Sequence, residues 1–366
     1  MDRVKSVTVR TVRRQMGGKV WNPRTRWGER VMVLAFVEDT AGRLGVGEAW
    51  LNEGGAEAVT AIITHDMAPH VVGRLPFEAR GLTETMFRET DISGRTGITA
   101  AAWGALDAAL WDLGARALGL PLADLLGRAH ERVPVYASAG LYGADKTPAD
   151  LAEEVAGWVA AGFDAVKIKV AGAPLAEDVA RVAAVREAIG PGVRLMVDAL
   201  YNLDVAAALK LAHALAPFDI HFFEAPVSAH DVAGQARVNR DGPIPVSGNE
   251  SAAWATSFRN LITAGAVHFV QFDIAACGGV TEAKRIGELA HIFHLPATLH
   301  ASSTSVLYAA SLHVAASLPN AHSVEHHMLH QWFWELAPTG TFVPTDGTLA
   351  PPAGPGIGID LSPDDL

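Results

Sequence analysis

Six short apolar segments of this chain each end on a titratable residue, and the interval between those residues barely changes. The ladder runs Lys169, Asp198, Glu224, Glu250, Asp273 and His300, with Glu325 closing a seventh segment, at intervals of 23 to 29 residues. One strand, one helix and two loops take up that length. A chain that repeats such a unit, with a charged group at the same place each time, predicts a parallel βα barrel with its chemistry on one rim. A charge at the end of a single strand would mark only where the chain emerges into water. Six in succession mark a shared site.

The barrel pattern begins at Val133. Val133 to Ser138, Ala165 to Val170, Arg194 to Ala199, His221 to Pro226, Ile244 to Ser247, Val267 to Ile274, Ala297 to His300 and Ser323 to Glu325 are the strand candidates, with amphipathic runs such as Leu175 to Ile189 and Thr281 to Phe293 between them. These strands are apolar up to the charged residue, as expected when both faces are buried. The first part of the chain has no such period. Val31 to Glu38 and Leu44 to Trp50 read as strands about a turn, followed by helices around Ala56 to Val71 and Gly97 to Leu118. This predicts an α+β domain over 1–128, a barrel over 129–339, and a proline- and glycine-rich segment over 340–366 that packs back on the first domain.

At 366 residues, 49% hydrophobic and 19% charged, the chain can bury a large core. A net charge of −11 argues against a nucleic-acid surface, which needs clustered positive charge. The single cysteine, Cys277, excludes an intrachain disulfide and fits a reducing compartment. Met1 to Arg14 carries charges without a long apolar core, so the expectation is a cytoplasmic protein with neither signal peptide nor membrane anchor.

Asp198, Glu224 and Glu250 fall on three consecutive strands, and neighbouring strands lie about 4.8 Å apart. Three convergent carboxylates without cysteine or histidine indicate a hard cation, Mg²⁺ first and Mn²⁺ second. Lys167 and Lys169, two residues apart, share a strand face. Two close ammonium groups depress one another's pKa, so one can serve as base while the other holds an anion. Asp273 can orient the imidazole of His300 from the preceding strand and raise its basicity, making His300 a second acid/base group across the barrel mouth. Glu325 can donate a proton or hydrogen bond to a substrate carboxylate. Together these groups suit the removal of the weakly acidic α-proton of a metal-bound carboxylic acid. His326, His327 and His330 resemble a metal cluster, but adjacent strand residues face opposite sides, so at most one lines the pocket.

The motifs Val166-Lys167-Ile168-Lys169-Val170, Met196-Val197-Asp198, Phe223-Glu224-Ala225-Pro226, Gly248-Asn249-Glu250, Asp273 to Val280, Leu299-His300 and Val324-Glu325 resemble those of the enolase superfamily, specifically its mandelate racemase subgroup. The likeness covers essentially the whole chain. Ala108 to Leu113 and Gly354 to Ile359 look like the family's capping domain and C-terminal return. The resemblance implies an α/β fold, a modified TIM barrel of (β/α)7β form with a capping domain. It also implies Mg²⁺ on Asp198, Glu224 and Glu250, with Lys169 and the His300–Asp273 dyad as bases. Departures from the family pattern are Ala225 after Glu224, Leu200 two residues after Asp198, and Asn249 where glycine is usual. The first two predict a less polar pocket than that of a typical sugar-acid enzyme. Specificity in such proteins looks to come from capping-domain loops. Met16 to Arg30 fits, with Lys19, Trp21, Arg24, Arg26 and Trp27, and Glu48 to Glu53 lies close by. Arg24, Trp27, Trp50 and Asn249 are the candidate substrate contacts.

The leading expectation is a sugar-acid dehydratase acting on a small carboxylate. A racemase or epimerase of a 2-hydroxy acid comes second and a cycloisomerase third, with a catalytically silent binding protein as the alternative of a different class. A homo-oligomer is the expected assembly. Gly45-Val46-Gly47 is only a fragment of a dinucleotide-binding loop.

Overall fold

The computed structural model describes residues 2–52 and 54–366, with residues 331–334 as backbone only. Glu53 of the predicted Glu48 to Glu53 segment lies outside the described residues. Three antiparallel strands, β1 (Val4–Gln15), β2 (Glu29–Asp39) and β3 (Leu44–Ala49), form the first sheet with β2 in the middle. The sequence pattern does not reveal β1. It is an edge strand whose polar residues are half-buried or exposed, so it carries little of the apolar signal that marks β2.

The apolar run in β2 has a structural reason. Val33, Ala35 and Val37 face the capping-domain core, while Leu34 and Phe36 belong to the barrel core. A strand pressed between two cores is apolar on both faces and loses the alternation of a half-buried strand. Helix α1 (Ala79–Glu89) packs against α2 (Ile98–Leu118), which covers the sheet. A Cβ at Gly47 would stand 2.1 Å from the Ala105 carbonyl oxygen, and one at Gly45 would stand 2.2 Å from that of Ala109. Gly45 and Gly47 therefore serve the close approach of β3 to α2, not a phosphate loop.

Eight parallel strands follow: β4 (Val133–Ser138), β5 (Ala165–Lys169), β6 (Arg194–Asp198), β7 (Ile220–Glu224), β8 (Val246–Gly248), β9 (Phe269–Asp273), β10 (Ala297–His300) and β11 (Ala321–His327). Each pairs with the next, and β11 pairs with β4 through Val324 opposite Val135, which closes the barrel. Helices α3 (Pro148–Ala160), α4 (Leu175–Ile189), α5 (Val205–Leu215), α6 (Val232–Asp241), α7 (Trp254–Thr263), α8 (Val280–Ile292) and α9 (Ser305–Ala316) follow the first seven strands in turn. This is the (β/α)7β arrangement. Among the described residues, no helix is long and apolar enough to cross a membrane.

Buried acids of the capping domain are tied to the barrel and to the C-terminal segment. Asp107 of α2 accepts hydrogen bonds from the Thr281 backbone N–H and hydroxyl at the first turn of α8, and Glu48 of β3 accepts from Ser303, Thr304 and the Leu307 N–H where α9 begins. Each thereby supplies an acceptor that a helix start leaves wanting. Asp112 accepts from the backbone N–H groups of Val46 and Ile357 and from Arg116. These bonds fix the loops of the first domain over the barrel's C-terminal rim.

Candidate active site

Lys169, Asp198, Glu224, Asp273 and His300 are the last residues of β5, β6, β7, β9 and β10. Glu250 lies two residues past β8, and Glu325 lies within β11. The ladder is also in register: Lys169 stands opposite Asp198, Asp198 opposite Glu224, and Asp273 opposite His300. Equal chain spacing has become adjacency in space because each βα unit advances the barrel by one strand. All these side chains are buried.

The cations and anions are paired. Lys167 Nζ lies 2.6 Å from Glu224 Oε2, 3.1 Å from Glu325 Oε1 and 3.7 Å from Asp198 Oδ2, while Lys169 engages Asp198. The expected mutual depression of the two lysines does not hold for Lys167. Burial works against its charge, but Glu224 and Glu325 outweigh burial and hold Lys167 well above the ordinary lysine range. Lys167 therefore stands as a buried cation between Glu224 and Glu325. The expectation for Glu325 is corrected in the same way. Burial raises its pKa, yet Lys167 and His300 hold it well below the usual carboxylate range, so it stands as an anion without a proton to donate.

His300 Nδ1 lies 2.6 Å from Asp273 Oδ2, and Asp273 Oδ1 accepts the Ala275 N–H, which fixes the carboxylate. His300 Nε2 lies 3.4 Å from Glu325 Oε2. Burial disfavours the imidazolium, but Glu325 and Asp273 outweigh it and raise the His300 pKa to about 9.

The three carboxylates predicted to hold a metal differ in their surroundings. Lys169 and then Lys167 hold Asp198 below its ordinary value despite burial. Burial and the Asp198 charge push Glu224 up to about 8, and burial raises Glu250. Among the described residues, no three His, Cys, Asp or Glu side chains form a closed metal cluster; these oxygens turn toward Lys169, Lys167 and Tyr201. The donor chemistry nonetheless fits a hard dication. Glu224 Oε1 is buried without a hydrogen-bond partner, the three donors are all carboxylate oxygens, and burial penalises their charge.

A cavity of about 550 Å³ opens over this cluster, with Lys169, Glu250, His300 and Glu325 at its floor. Of the candidate substrate contacts, Arg24, Trp27 and Trp50 line it, but Asn249 does not. Asn249, one residue past the end of β8, is fully buried instead. Leu200 is a lining residue, Ala225 is not, and the expected loss of polarity does not follow. Asn22, Thr25, Asn52, Ser228, His230 and Ser251 supply amides, hydroxyls and an imidazole instead. These come from loops, where strand-end spacing carries no signal.

The Met16 to Arg30 loop carries local pairing of its own. Val20–Trp21 pairs with Tyr142–Gly143, and Asn22 Oδ1 accepts from the Arg24 and Thr25 N–H groups. Trp21 is outside the cavity, stacked on Tyr142 with the Arg26 guanidinium over its ring. His327 lines the cavity, whereas the His326 ring meets Tyr308 and His330 stacks on His327.

Two residues beside the carboxylates do not appear among the sequence candidates. Tyr201 donates its hydroxyl to Glu250 at 2.5 Å, and Gln271 donates to Glu224 at 2.7 Å. Gln271 had a legible signal, since it precedes Asp273 by two and shares its strand face. Tyr201 had none, because it sits in a loop at positive φ.

With this geometry in place, comparison with known proteins is decisive at the level of family. Residues 5–127 match the N-terminal domain of the mandelate racemase / muconate lactonizing enzyme family, and residues 150–365 match the enolase C-terminal domain-like family. The chain belongs to the mandelate racemase / muconate lactonizing enzyme family of the enolase superfamily, and it is an enzyme. It is 32% identical over 331 residues to 3,6-anhydro-alpha-L-galactonate cycloisomerase of Streptomyces coelicolor, covering 90% of this chain and 89% of that one. It is 30% identical to arabinonate dehydratase of Saccharolobus solfataricus, covering 90% and 88%. A crystal structure of a racemase from Streptomyces coelicolor with bound magnesium superposes with a TM-score of 0.90 at 30% identity, covering 99% of this chain and 98% of that one.

Proposed function

We propose that this enzyme removes the α-proton of an acid-sugar carboxylate and expels the oxygen on C3, giving a 2-keto-3-deoxy acid with loss of water. One observation carries the reading. Two proton-handling groups on separate barrel strands, Lys169 and the Asp273-oriented His300, face a single cavity whose outer wall is rich in amides and hydroxyls. Such a wall suits a polyhydroxylated substrate, because each buried hydroxyl needs a partner.

Asp198, Glu224 and Glu250 would hold Mg²⁺, which when bound supplies positive charge beside the substrate carboxylate as its α-carbon is deprotonated. Lys169, as its neutral amine, takes the proton from C2. The C2–H electron pair forms the C2–C3 double bond as the C3–O bond breaks. His300, charged in the resting site, gives its proton to the departing oxygen. The enol left behind tautomerises to the 2-keto acid. Lys167 stays charged throughout and balances Glu224 and Glu325. Arg24, which lines the same cavity, would meet the distal end of the substrate chain.

The same elimination from a ring oxygen loses no atoms and is therefore an isomerisation. Similarity to a cycloisomerase at 32% identity supports this second reading. Incubation with a library of mono- and diacid sugars in ²H₂O separates the outcomes. Loss of water with a new 2-keto group is expected. Ring opening without water loss selects the isomerisation, and α-deuteration with inversion alone refutes both. Turnover that survives Lys169→Ala combined with His300→Asn would remove these two residues from the mechanism.

A further inference from the structure

The opposite, N-terminal end of the barrel carries a second cluster of chemistry-bearing side chains. His221 at the start of β7 and His322 at the start of β11 bring their Nε2 atoms to 3.1 Å, with ring centroids 5.1 Å apart. Both belong to irregular steps of the sheet. Between the pairs Leu195–Ile220 and Val197–Phe223, β7 spends one residue more than β6, and between Ala297–Ala321 and Thr298–Ser323, β11 spends one more than β10. Each extra residue is a local irregularity of the ladder, and such a step re-aims a side chain. In both places it turns a histidine against Phe269 at the bottom of the barrel.

The spacing is that of shared ligation. Two imidazoles on one tetrahedral ion, with metal–nitrogen bonds of about 2.05 Å, hold their nitrogens about 3.3 Å and their ring centres about 5.2 Å apart. Without a proton or a cation between them, two Nε2 lone pairs at this distance repel. The outer nitrogen of His322 has the partner expected of a ligand: its Nδ1 lies 2.9 Å from Ser323 Oγ, which is bonded in turn to Thr298 Oγ1 at 3.0 Å. A donor bond from Nδ1 to that hydroxyl leaves Nε2 as a lone pair directed at His221. Burial, and then its neighbours, lower both pKa values, that of His322 to about 3, so both rings are neutral at neutral pH. The nearby charged groups are Arg194, which is bonded to Asp164, and Asp219; His268, exposed just before β9, is a further imidazole within electrostatic reach.

We propose that His221 and His322 form a site for a borderline divalent transition-metal ion, Zn²⁺, Ni²⁺ or Cu²⁺, that clamps β7 to β11 at the closed end of the barrel. Imidazole nitrogens without carboxylates select these ions over Mg²⁺, so the site is chemically separate from the carboxylate cluster at the rim.

The test is calorimetric titration of the full chain with Ni²⁺ in saturating Mg²⁺, alongside thermal melts with and without Zn²⁺. The expected result is one Ni²⁺ bound per chain in the micromolar range and a Tm raised by Zn²⁺. Both should be lost in His221→Gln and His322→Gln and kept in Asp198→Asn. Ser323→Ala alters neither ring and threatens the fold least; it should weaken Ni²⁺ binding roughly tenfold. Binding that is absent from the wild type, or unchanged in the histidine and Ser323 variants, overturns the proposal and leaves a plain imidazole–imidazole hydrogen bond.

Discussion

Removing one oxygen tests the assignment of the carboxylate cluster. Tyr201 donates its hydroxyl to Glu250 Oε2 at 2.5 Å and accepts from Ser251 Oγ at 3.1 Å. Burial and the neighbouring Glu250 charge keep its pKa well above the ordinary tyrosine range, so it remains a donor at any working pH. Tyr201→Phe keeps the ring that lines the cavity and deletes the hydroxyl, with its bond to Glu250 and the weaker ones it accepts from Ser251. A hydrogen bond to a charged acceptor is worth about 1.5–3 kcal/mol. At about 1.4 kcal/mol per decade this is roughly a 10- to 150-fold effect, in line with the 10–100-fold typical of partners that orient a metal ligand. The expected outcome is an Mg²⁺ Kd raised roughly 10- to 100-fold, measured calorimetrically on chelator-stripped protein. Tm should fall by only a few degrees, because about 1 kcal/mol moves a chain of this size by roughly 2 °C or less. An Mg²⁺ Kd within twofold of wild type in Tyr201→Phe, when Glu250→Gln abolishes binding, would refute the claim that Tyr201 positions Glu250. Unchanged binding in both variants would remove Glu250 from the metal site.

Asp273→Asn preserves shape but no longer stabilises the imidazolium of His300. Turnover of the substrate found by screening should fall roughly 10²- to 10⁴-fold with the fold intact by circular dichroism, and a change under threefold would contradict the dyad. Lys167→Met strands Glu224 and Glu325 in the core; loss of one partner of a buried pair costs about 3–5 kcal/mol, so a lowered Tm that Mg²⁺ partly restores is expected, whereas an unchanged Tm contradicts the pairing. His313 of α9 accepts the Ala123 N–H at its Nδ1 at 3.1 Å, and burial lowers its pKa to about 4, with the Ile357 carbonyl partly offsetting. The unfolded chain therefore binds the extra proton first, and stability present above about pH 6.5 is lost as pH falls toward 4. Between pH 7 and pH 5 this group costs about 2 kcal/mol. His313→Asn keeps an acceptor but cannot titrate, so its urea midpoint should fall less over that interval than that of wild type; equal falls contradict the assignment.

The strands were legible where both faces are apolar and the end is charged. β5, β6, β9 and β10 lie within a residue or two of the runs read from sequence, because a barrel strand buried on both sides writes its boundaries in hydrophobicity. β1 escaped because an edge strand needs no such run. The upward shift of Lys167 and the downward shift of Glu325 were not legible because pKa values depend on which oppositely charged groups lie within 4 Å, and no spacing along the chain encodes that. Pocket polarity was misjudged for a related reason. Leu200 and Ala225 are near Asp198 and Glu224 in sequence, but Asn22, Asn52 and Ser228 reach the cavity from distant segments.

Periodicity alone was enough to specify the barrel, the rim on which its chemistry sits, and the order of carboxylates, lysines and dyad around it. A repeating unit advances one strand at a time, so regular intervals in the chain become neighbours in space. Tertiary packing decided the rest: Lys167 as a buried cation, Glu325 as an anion, Tyr201 on Glu250, and the polar wall over the cavity. Those properties arise from distances between residues tens to hundreds of positions apart, which only the closed barrel and its capping domain define.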